Sequence, residues 1–386
     1  MKAVVTGMIA TYPVGGVAWD YGQYALGLER LGFEVVYLED TGGPTYDPVA
    51  EAYGEDPGYA VDFLGRALAG LSPGLADRWH FRAMDGRAFG LPPDALLDAI
   101  AEADVFLNVS GSCLLRSEYA AARRKVLIDT DPGWNHFVNW PKWDAGQGWD
   151  GVDSWRAHDA FFTYAERIGR PGCALPTLGI AWQPTRPPVA VDRWRAEPPG
   201  ETWTTVMTWD NFRRPIQGDG VTYGTKELEF GKVEGMPARV DARFEIAAGG
   251  DTAPRERWRD LGWSVRDSVE VSRTPDAYRG YVQRSRGELS VAKNVYAATG
   301  SGWFSCRSTC YLAAGRPVVL QDTGFSEVVP AGEGLFAFRD ADGAARALAE
   351  VESDYARHAA AARAVAEQHF AAELVLASLL ERAGVL

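Results

Sequence analysis

The stretch Gly315-Arg316-Pro317-Val318-Val319-Leu320-Gln321-Asp322-Thr323-Gly324-Phe325-Ser326-Glu327, followed by Gly332-Glu333-Gly334-Leu335-Phe336, decides how this chain folds. Gly315 is a turn glycine, and the β-branched run after Pro317 suits a strand buried on both faces. Thr323, Gly324 and Ser326 then form a loop expected to leave backbone amides free. A short helix is expected from Glu327 and a second strand over residues 335–338. A strand running into such a loop and helix aims helix N-terminal amides at one point, where they hold an anion such as a diphosphate.

Outward from there, strand and helix alternate twice along the chain. Strands are expected at residues 4–6, 35–38, 105–109, 126–129 and 161–164, with helices at 17–31, 93–102 and 117–123. That alternation predicts a parallel, doubly wound sheet over residues 1–182, with 43–57 as a loop across it. The proline-dense segments Gln183-Pro184-Thr185-Arg186-Pro187-Pro188 and Glu197-Pro198-Pro199-Gly200 mark a linker over 183–202. A second alternation fills 203–370, with strands at 203–207, 244–247, 289–291, 318–320 and 335–338 and an Ala-rich helix at 344–367. A last helix within 371–386 is expected to pack back toward the first domain. The fold class is therefore α/β, with two Rossmann-like domains facing a cleft.

Composition narrows the function. At 386 residues and 46% hydrophobic content, two domains of ordinary size can each bury a core. The net charge of −13 argues against nucleic acid as a partner, while leaving room for a small anion held by a few local cations. Apolar runs are too short to span a membrane, and the opening Met1-Lys2-Ala3-Val4-Val5-Thr6-Gly7 reads as a first strand rather than a leader. The four cysteines show no metal-like pairing; Cys306 and Cys310 suit buried thiols, and a reducing cytoplasm is expected.

Five motifs carry chemistry. In Tyr12-Pro13-Val14-Gly15-Gly16-Val17, paired glycines before a helix allow close approach of a phosphate, or serve only a tight turn. Gly300-Ser301-Gly302-Trp303-Phe304-Ser305-Cys306-Arg307-Ser308 sets hydroxyls and a cation at a helix start; Ser305 and Ser308 suit an anion or simple N-capping. Lys226 and Lys293 follow strands, as diphosphate ligands or solvated loop residues. In Asp129-Thr130-Asp131-Pro132-Gly133-Trp134-Asn135-His136 the strand end offers Asp131 or His136 as a general base, or as a helix cap and a packed histidine. Trp134, Trp140, Trp143, Trp149 and Trp155 crowd one loop, as faces for a sugar or planar acceptor or as pins for the loop; Trp19 lies near the cleft.

Together these residues resemble the GT-B nucleotide-sugar glycosyltransferases. The C-terminal stretch follows their G-x-P-V-[IV]-x-x-[DE]-x-G-[GF]-x-E pattern through Gly332, after which Gly334 arrives one residue early. Pro13 through Val35 is similar to the glycine loop of the retaining members, whose C-terminal domain is of the glycosyl transferases group 1 type. Gly302-Trp303-x-Ser305 resembles the G-W-N-S element of the natural-product transferases, with two residues more before Gly315. The two glutamates that retaining families carry here fall on Gly302 and Cys310, so inverting and retaining outcomes both stay open.

The resemblance implies a hexosyltransferase-like enzyme, metal-independent and without a cofactor, that uses a nucleoside diphosphate sugar, UDP among the donors. The implied donor ligands are Gly15, Gly16, Lys226, Lys293, Ser305, Arg307, Ser308, Thr323, Gly324, Phe325, Ser326 and Glu327. Asp131 and His136 are the implied catalytic residues. Trp19, Trp134 and Trp140 are the implied contacts for a saccharide, natural-product or other small-molecule acceptor. A sugar-nucleotide 2-epimerase of the same fold and a non-catalytic sugar- or nucleotide-binding protein are the alternatives.

Overall fold

The computed structural model describes residues 1–147, 155–209 and 215–386. Its first sheet is built around Lys2–Thr6, where Ala3, Val4 and Val5 are buried because helices cover both faces. From edge to edge the order is Gln183–Pro184, Ala160–Thr163, Lys125–Asp129, Val105–Val109, Lys2–Thr6, Glu34–Glu39, Trp79–Arg82 and Ala88–Gly90. Neighbours are parallel except for the short antiparallel edge made by Ala88–Gly90.

The second sheet runs Ser264–Asp267, Arg243–Gly249, Thr202–Thr208, Gly287–Ser290, Val318–Gln321 and Leu335–Phe338, parallel throughout. Its strand order reverses between Thr202–Thr208 and Gly287–Ser290. Loops leaving the carboxyl ends of those two strands diverge and open a crevice, the usual ligand position of such a sheet. The molecule is thus a pair of Rossmann-like domains.

The strands expected from the sequence all form. Trp79–Arg82, Ala88–Gly90 and Ser264–Asp267 were not expected, since each is only three or four residues long and offers too little alternation to read. The loop at 43–57 carries a small hairpin, Thr45–Asp47 with Ala52–Gly54, and Gly58–Leu71 is a further helix. The helix expected at 117–123 shrinks to one 3-10 turn, Ser117–Tyr119, whose Tyr119 hydroxyl donates to Asp40 at 2.8 Å. The long helix expected at 344–367 is two, Ala341–Ser353 and Tyr355–Val365. Asp354 breaks it by leaving the helical region (φ −150°, ψ 66°) and accepting from the Arg357 amide.

The two domains are in close contact. One apolar core runs from the first sheet through Trp194, Tyr278, Phe304 and Tyr311 into the second domain. The C-terminal helix Ala372–Arg382 packs along Gly15–Arg30, with Leu376, Leu379 and Leu380 buried. A cluster of polar contacts is made by Arg167, in the turn after Ala160–Thr163. Its side chain enters the second domain among Gly300, Gly302 and Gly324, all in the left-handed region (φ 59°, 78° and 93°). A Cβ on those glycines would lie 3.0, 2.9 and 2.9 Å from Arg167 atoms. Arg167 donates to the Gly300 carbonyl at 2.8 Å, its amide donates to Ser301 at 3.1 Å, and its guanidinium pairs with Glu327 at 2.9 Å.

Gly302→Ala should therefore destabilise the protein by about 1–3 kcal/mol. Gly384→Ala, also at positive φ (72°) but with open space around it, carries only the backbone share of that cost. Denaturant midpoints of the two variants read the difference, which is the Arg167 contact itself.

Candidate functional site

The crevice of the second sheet holds three cations. Lys226 follows Thr225 in the loop after the Ile216–Gly218 and Val221–Tyr223 hairpin and turns back toward the sheet, where its ammonium donates to the Thr208 carbonyl at 3.1 Å. It is nearly buried, and that burial, with the charges of Arg307 and Lys293, pushes its pKa well below the ordinary lysine value. Lys293, just past Gly287–Ser290, meets Asp131 of the first domain at 2.7 Å. Arg307, in the first turn of Cys306–Ala313, pairs with buried Glu288 and donates to the Val206 carbonyl (2.9 Å) and the Ser290 hydroxyl (2.7 Å). Burial disfavours the Arg307 charge, but Glu288 outweighs burial and holds its pKa above the ordinary value. Arg307 thus ties the ends of the two strands between which the order reverses.

The helix Cys306–Ala313 starts at this crevice. Ser305 stands at its N-cap without a side-chain cap bond, and the Ser308 hydroxyl is buried without a partner among the described residues. Ser308 and Thr309 amides bond the Ser305 carbonyl, whereas the amides of Cys306 and Arg307 have no protein acceptor among the described residues. Helix-start amides of this kind favour an anion.

The loop at 323–327 is already filled. Asp322 accepts from the Gly324 amide at 2.8 Å and the Ser326 hydroxyl at 2.9 Å, and the Ser326 amide also faces it. The amides expected to be free are answered by a carboxylate one residue upstream, an Asx turn that needs no ligand. Thr323 donates to the Trp303 carbonyl, Phe325 is buried against Phe304, and Glu327 goes to Arg167. The expected helix from Glu327 is only the 3-10 turn Phe325–Glu327.

The glycine loop of the first domain meets the second domain directly. The Gly15 amide donates to the Ser272 carbonyl and the Gly16 amide to the Ser272 hydroxyl at 2.8 Å. A Cβ at Gly15 would fall 2.1 Å from the Thr274 carbonyl oxygen, so glycine there permits close approach of two domains.

Asp131 and His136 part company. Asp131 accepts from Lys293 and from the Tyr296 hydroxyl across the domain boundary. His136 is wholly buried: Nδ1 donates to the Pro176 carbonyl at 2.7 Å, and Nε2 lies 3.1 Å from Asp129. With both nitrogens occupied inside the first domain, His136 has no reach to a hydroxyl in the cleft. Asp129 also accepts from Thr163 and Asn135, so the two carboxylates of Asp129-Thr130-Asp131 serve separate clusters.

The tryptophans likewise turn inward. Trp140, Trp155 and Trp182 form a cluster of near-parallel rings, Trp140 lying 4.7 Å from Trp155 and 5.0 Å from Trp182 with both interplanar angles at 17°, and His136 lies against it. Trp143 packs on the same cluster. Trp19 is buried against Trp194, and its indole donates to the Pro275 carbonyl at 2.8 Å. Trp134 packs with Tyr223 and Val295 where the domains meet. Trp149 lies outside the described residues.

One acid at the boundary escaped the sequence reading. Asp20, one turn beyond Gly16 on Gly15–Arg30, lies beside the Cys306 thiol of the second domain, with Tyr21, Tyr24 and Tyr164 around it. Burial raises its pKa to about 6, only partly offset by Cys306. No ion pair holds it among the described residues, whereas Asp131 is paired with Lys293. The available signal was its isolation, a lone charge in the apolar first half of the helix that follows the glycine loop.

No family model matches the chain, and no curated protein matches it in sequence. Its fold is similar to AviGT4, a glycosyltransferase involved in avilamycin A biosynthesis, at TM-score 0.53 and 14% identity over 100% of this chain and 97% of that one. It is similar also to Anabaena Alr3699/HepE in complex with UDP and glucose, at TM-score 0.55 and 11% identity over the whole of both chains. Sucrose-phosphate synthase from Thermosynechococcus elongatus gives TM-score 0.50 and 11% identity over 99% of each chain. The chain has the GT-B glycosyltransferase fold.

The buried stack sets a prediction. Trp140→Ala should cost about 3–5 kcal/mol of stability, measured by chemical denaturation. A role for Trp140 in holding the acceptor would appear instead as weaker acceptor binding at unchanged stability.

Proposed function

We propose that this protein transfers a glycosyl group from a nucleoside diphosphate sugar, with UDP the first donor to test, to an acceptor hydroxyl without a metal. The observation that carries this reading is the convergence of Lys226, Lys293 and Arg307 on the crevice between Thr202–Thr208 and Gly287–Ser290, with Asp131 and Asp20 presented from the other domain. The UDP and glucose held by a protein of the same fold support it.

In this reading the diphosphate lies against Lys226, Lys293 and the free amides of Cys306 and Arg307. The acceptor oxygen attacks the anomeric carbon as the bond from that carbon to the phosphate oxygen breaks, and the departing charge is stabilised by the cations and helix amides. Asp20 takes the acceptor proton. Asp131 suits the task less, because Lys293 and Tyr296 already stabilise its charge. A base on the acceptor side is what an inverting displacement needs. Gly15 and Gly16 reach the donor only once Ser272 is displaced, so the domains part to admit it. We assign the protein to the cytoplasm, in keeping with its free cysteines; no described helix is long and apolar enough to cross a membrane.

A thermal-shift series with UDP, GDP, dTDP, ADP and CMP, with and without EDTA, tests the donor. One nucleoside diphosphate should raise the midpoint in both conditions, the added stability being about 2.7 kcal/mol at a hundredfold excess over Kd. No response to any of them would move the protein to the non-catalytic reading, and a response lost with EDTA would overturn metal independence.

Two pH effects follow from the burial of the site. Lys226 has a lowered pKa in the empty site, so a bound diphosphate raises it and draws in a proton. Affinity for the diphosphate should then rise as pH falls, by up to about tenfold per unit, and Lys226→Met should remove the dependence. Titration calorimetry in buffers of different ionisation enthalpy counts the proton directly. Asp20 must be ionised to act as base, so turnover should fall as pH drops below about 6. Asp20→Asn should reduce kcat by about 10²–10⁴-fold while leaving donor affinity intact.

A further inference from the structure

A second charged pocket lies outside the cleft cluster, where the linker, the turn before Phe370 and the C-terminal helix meet. Its volume is about 450 Å³, and Glu166, Arg186, His369 and Arg382 supply its ionisable walls. Arg186 pairs with Glu166 at 2.6 Å and lies over the Phe370 ring. Arg382 has no carboxylate within salt-bridge distance among the described residues. It donates to the carbonyls of Pro184 (2.7 Å) and Ser378 (3.1 Å) and is held over Phe162. Two full positive charges therefore share one carboxylate. Burial, and after it the Arg186 charge, pushes the pKa of His369 below its ordinary value.

Glu166 is itself incomplete. It is 7% exposed, one carboxylate oxygen accepts from Arg186, and the other, Oε1, has no hydrogen-bond partner among the described residues. A buried acceptor left empty costs free energy until a donor reaches it. The pocket thus lacks a negative charge and a hydrogen-bond donor at once. A carboxylate or sulfate supplies only the charge. A protonated phosphate, or a phosphate monoester whose body bears a hydroxyl, supplies both.

We propose that this pocket binds a phosphate group, free or esterified to a small hydroxylated body, with Arg186 and Arg382 on its oxygens and Glu166 accepting its hydroxyl. Arginine is suited to the task because its planar fork matches phosphate oxygens. The volume fits a small phosphate monoester. The position gives the site a use. Arg186 belongs to the linker and Arg382 to the helix that returns to the first domain, so a ligand on both braces the two chain crossings. Glu166 is joined directly to Arg167, whose side chain locks the domains through Gly300, Gly302 and Gly324. The proposal stands apart from the transferase reading, since no residue of the cleft takes part in it.

Calorimetric titration of the full chain with inorganic phosphate, glycerol 3-phosphate and sulfate, at matched ionic strength, tests it. Both phosphates should bind, and sulfate should bind about tenfold more weakly or worse, because it has no proton for Glu166. Tighter binding of glycerol 3-phosphate identifies an esterified ligand; tighter inorganic phosphate identifies the free ion. Arg382→Ala should weaken phosphate about tenfold or more. Glu166→Gln should narrow the gap between phosphate and sulfate, since an amide can donate as well as accept. Ser378→Trp, at an exposed helix position on the rim, fills the pocket without breaking its contacts and should abolish binding at unchanged melting temperature. Equal binding of sulfate and phosphate, no binding of either, or phosphate affinity untouched by Ser378→Trp would overturn the assignment. Retention of nucleoside diphosphate binding in Ser378→Trp separates the two sites.

Discussion

The arrangement of this molecule depends on Arg167 being held where only glycine leaves room. Gly300, Gly302 and Gly324 come from two separate loops of the second domain, and all three take left-handed backbones around one side chain of the first. Because the arginine bonds to main-chain atoms, its hold fixes the two loops relative to each other as well as the two domains. From that lock follow the closeness of Gly15 to Thr274, the bridge from Asp131 to Lys293 and Tyr296, and the shared apolar core. In the proposed transfer, a substrate enters the cleft only against these contacts. Part of its binding free energy is then spent on separating them, and its fit to both domains must compensate.

The same lock explains which parts of the fold were legible in the sequence. Strands at 105–109 and 318–321 are apolar apart from Asn108 and Gln321 and wholly buried, and a run buried on both faces has little else it can become. An edge strand such as Ser264–Asp267 carries no such pattern, since none of its residues is fully buried. Motif glycines gave the right places and an incomplete reason. A glycine pair reports that a backbone must come close to something, and here the neighbours are Ser272, Thr274 and Arg167. Sequence patterns cannot separate a close approach to phosphate from one to another domain, because both demand the same missing Cβ.

Aromatic density left two readings open for a related reason. Tryptophans between Gly, Asp and Asn suit faces for a sugar or pins for the loop, and Trp140 and Trp155 stack with Trp182, which lies beyond the loop in sequence. Stacking needs a partner from elsewhere in the chain, and one-dimensional spacing does not show it. The converse holds for Asp20. Nothing in its immediate sequence predicts a raised pKa, which arises because the second domain brings Cys306 over it and removes water.

Charge placement completes the picture. A chain with net charge −13 repels anions at long range, so any site for one must be local and shielded by the fold. The cleft gathers Lys226, Lys293 and Arg307 in a space where burial already depresses the Lys226 pKa. Their counter-charges are unequal in kind. Glu288 is fully buried and belongs to the same domain as Arg307, so that pair persists whatever the domains do. Asp131 comes from the other domain, so its bond to Lys293 lasts only while the cleft is shut. Opening removes a negative charge from the crevice and leaves the positive potential for an incoming anion. Closing behind that anion returns Asp131 with Lys293 shared between them. In the proposed transfer, the domain movement that admits the donor is therefore also the movement that makes the crevice attractive to it, coupled through one interdomain carboxylate.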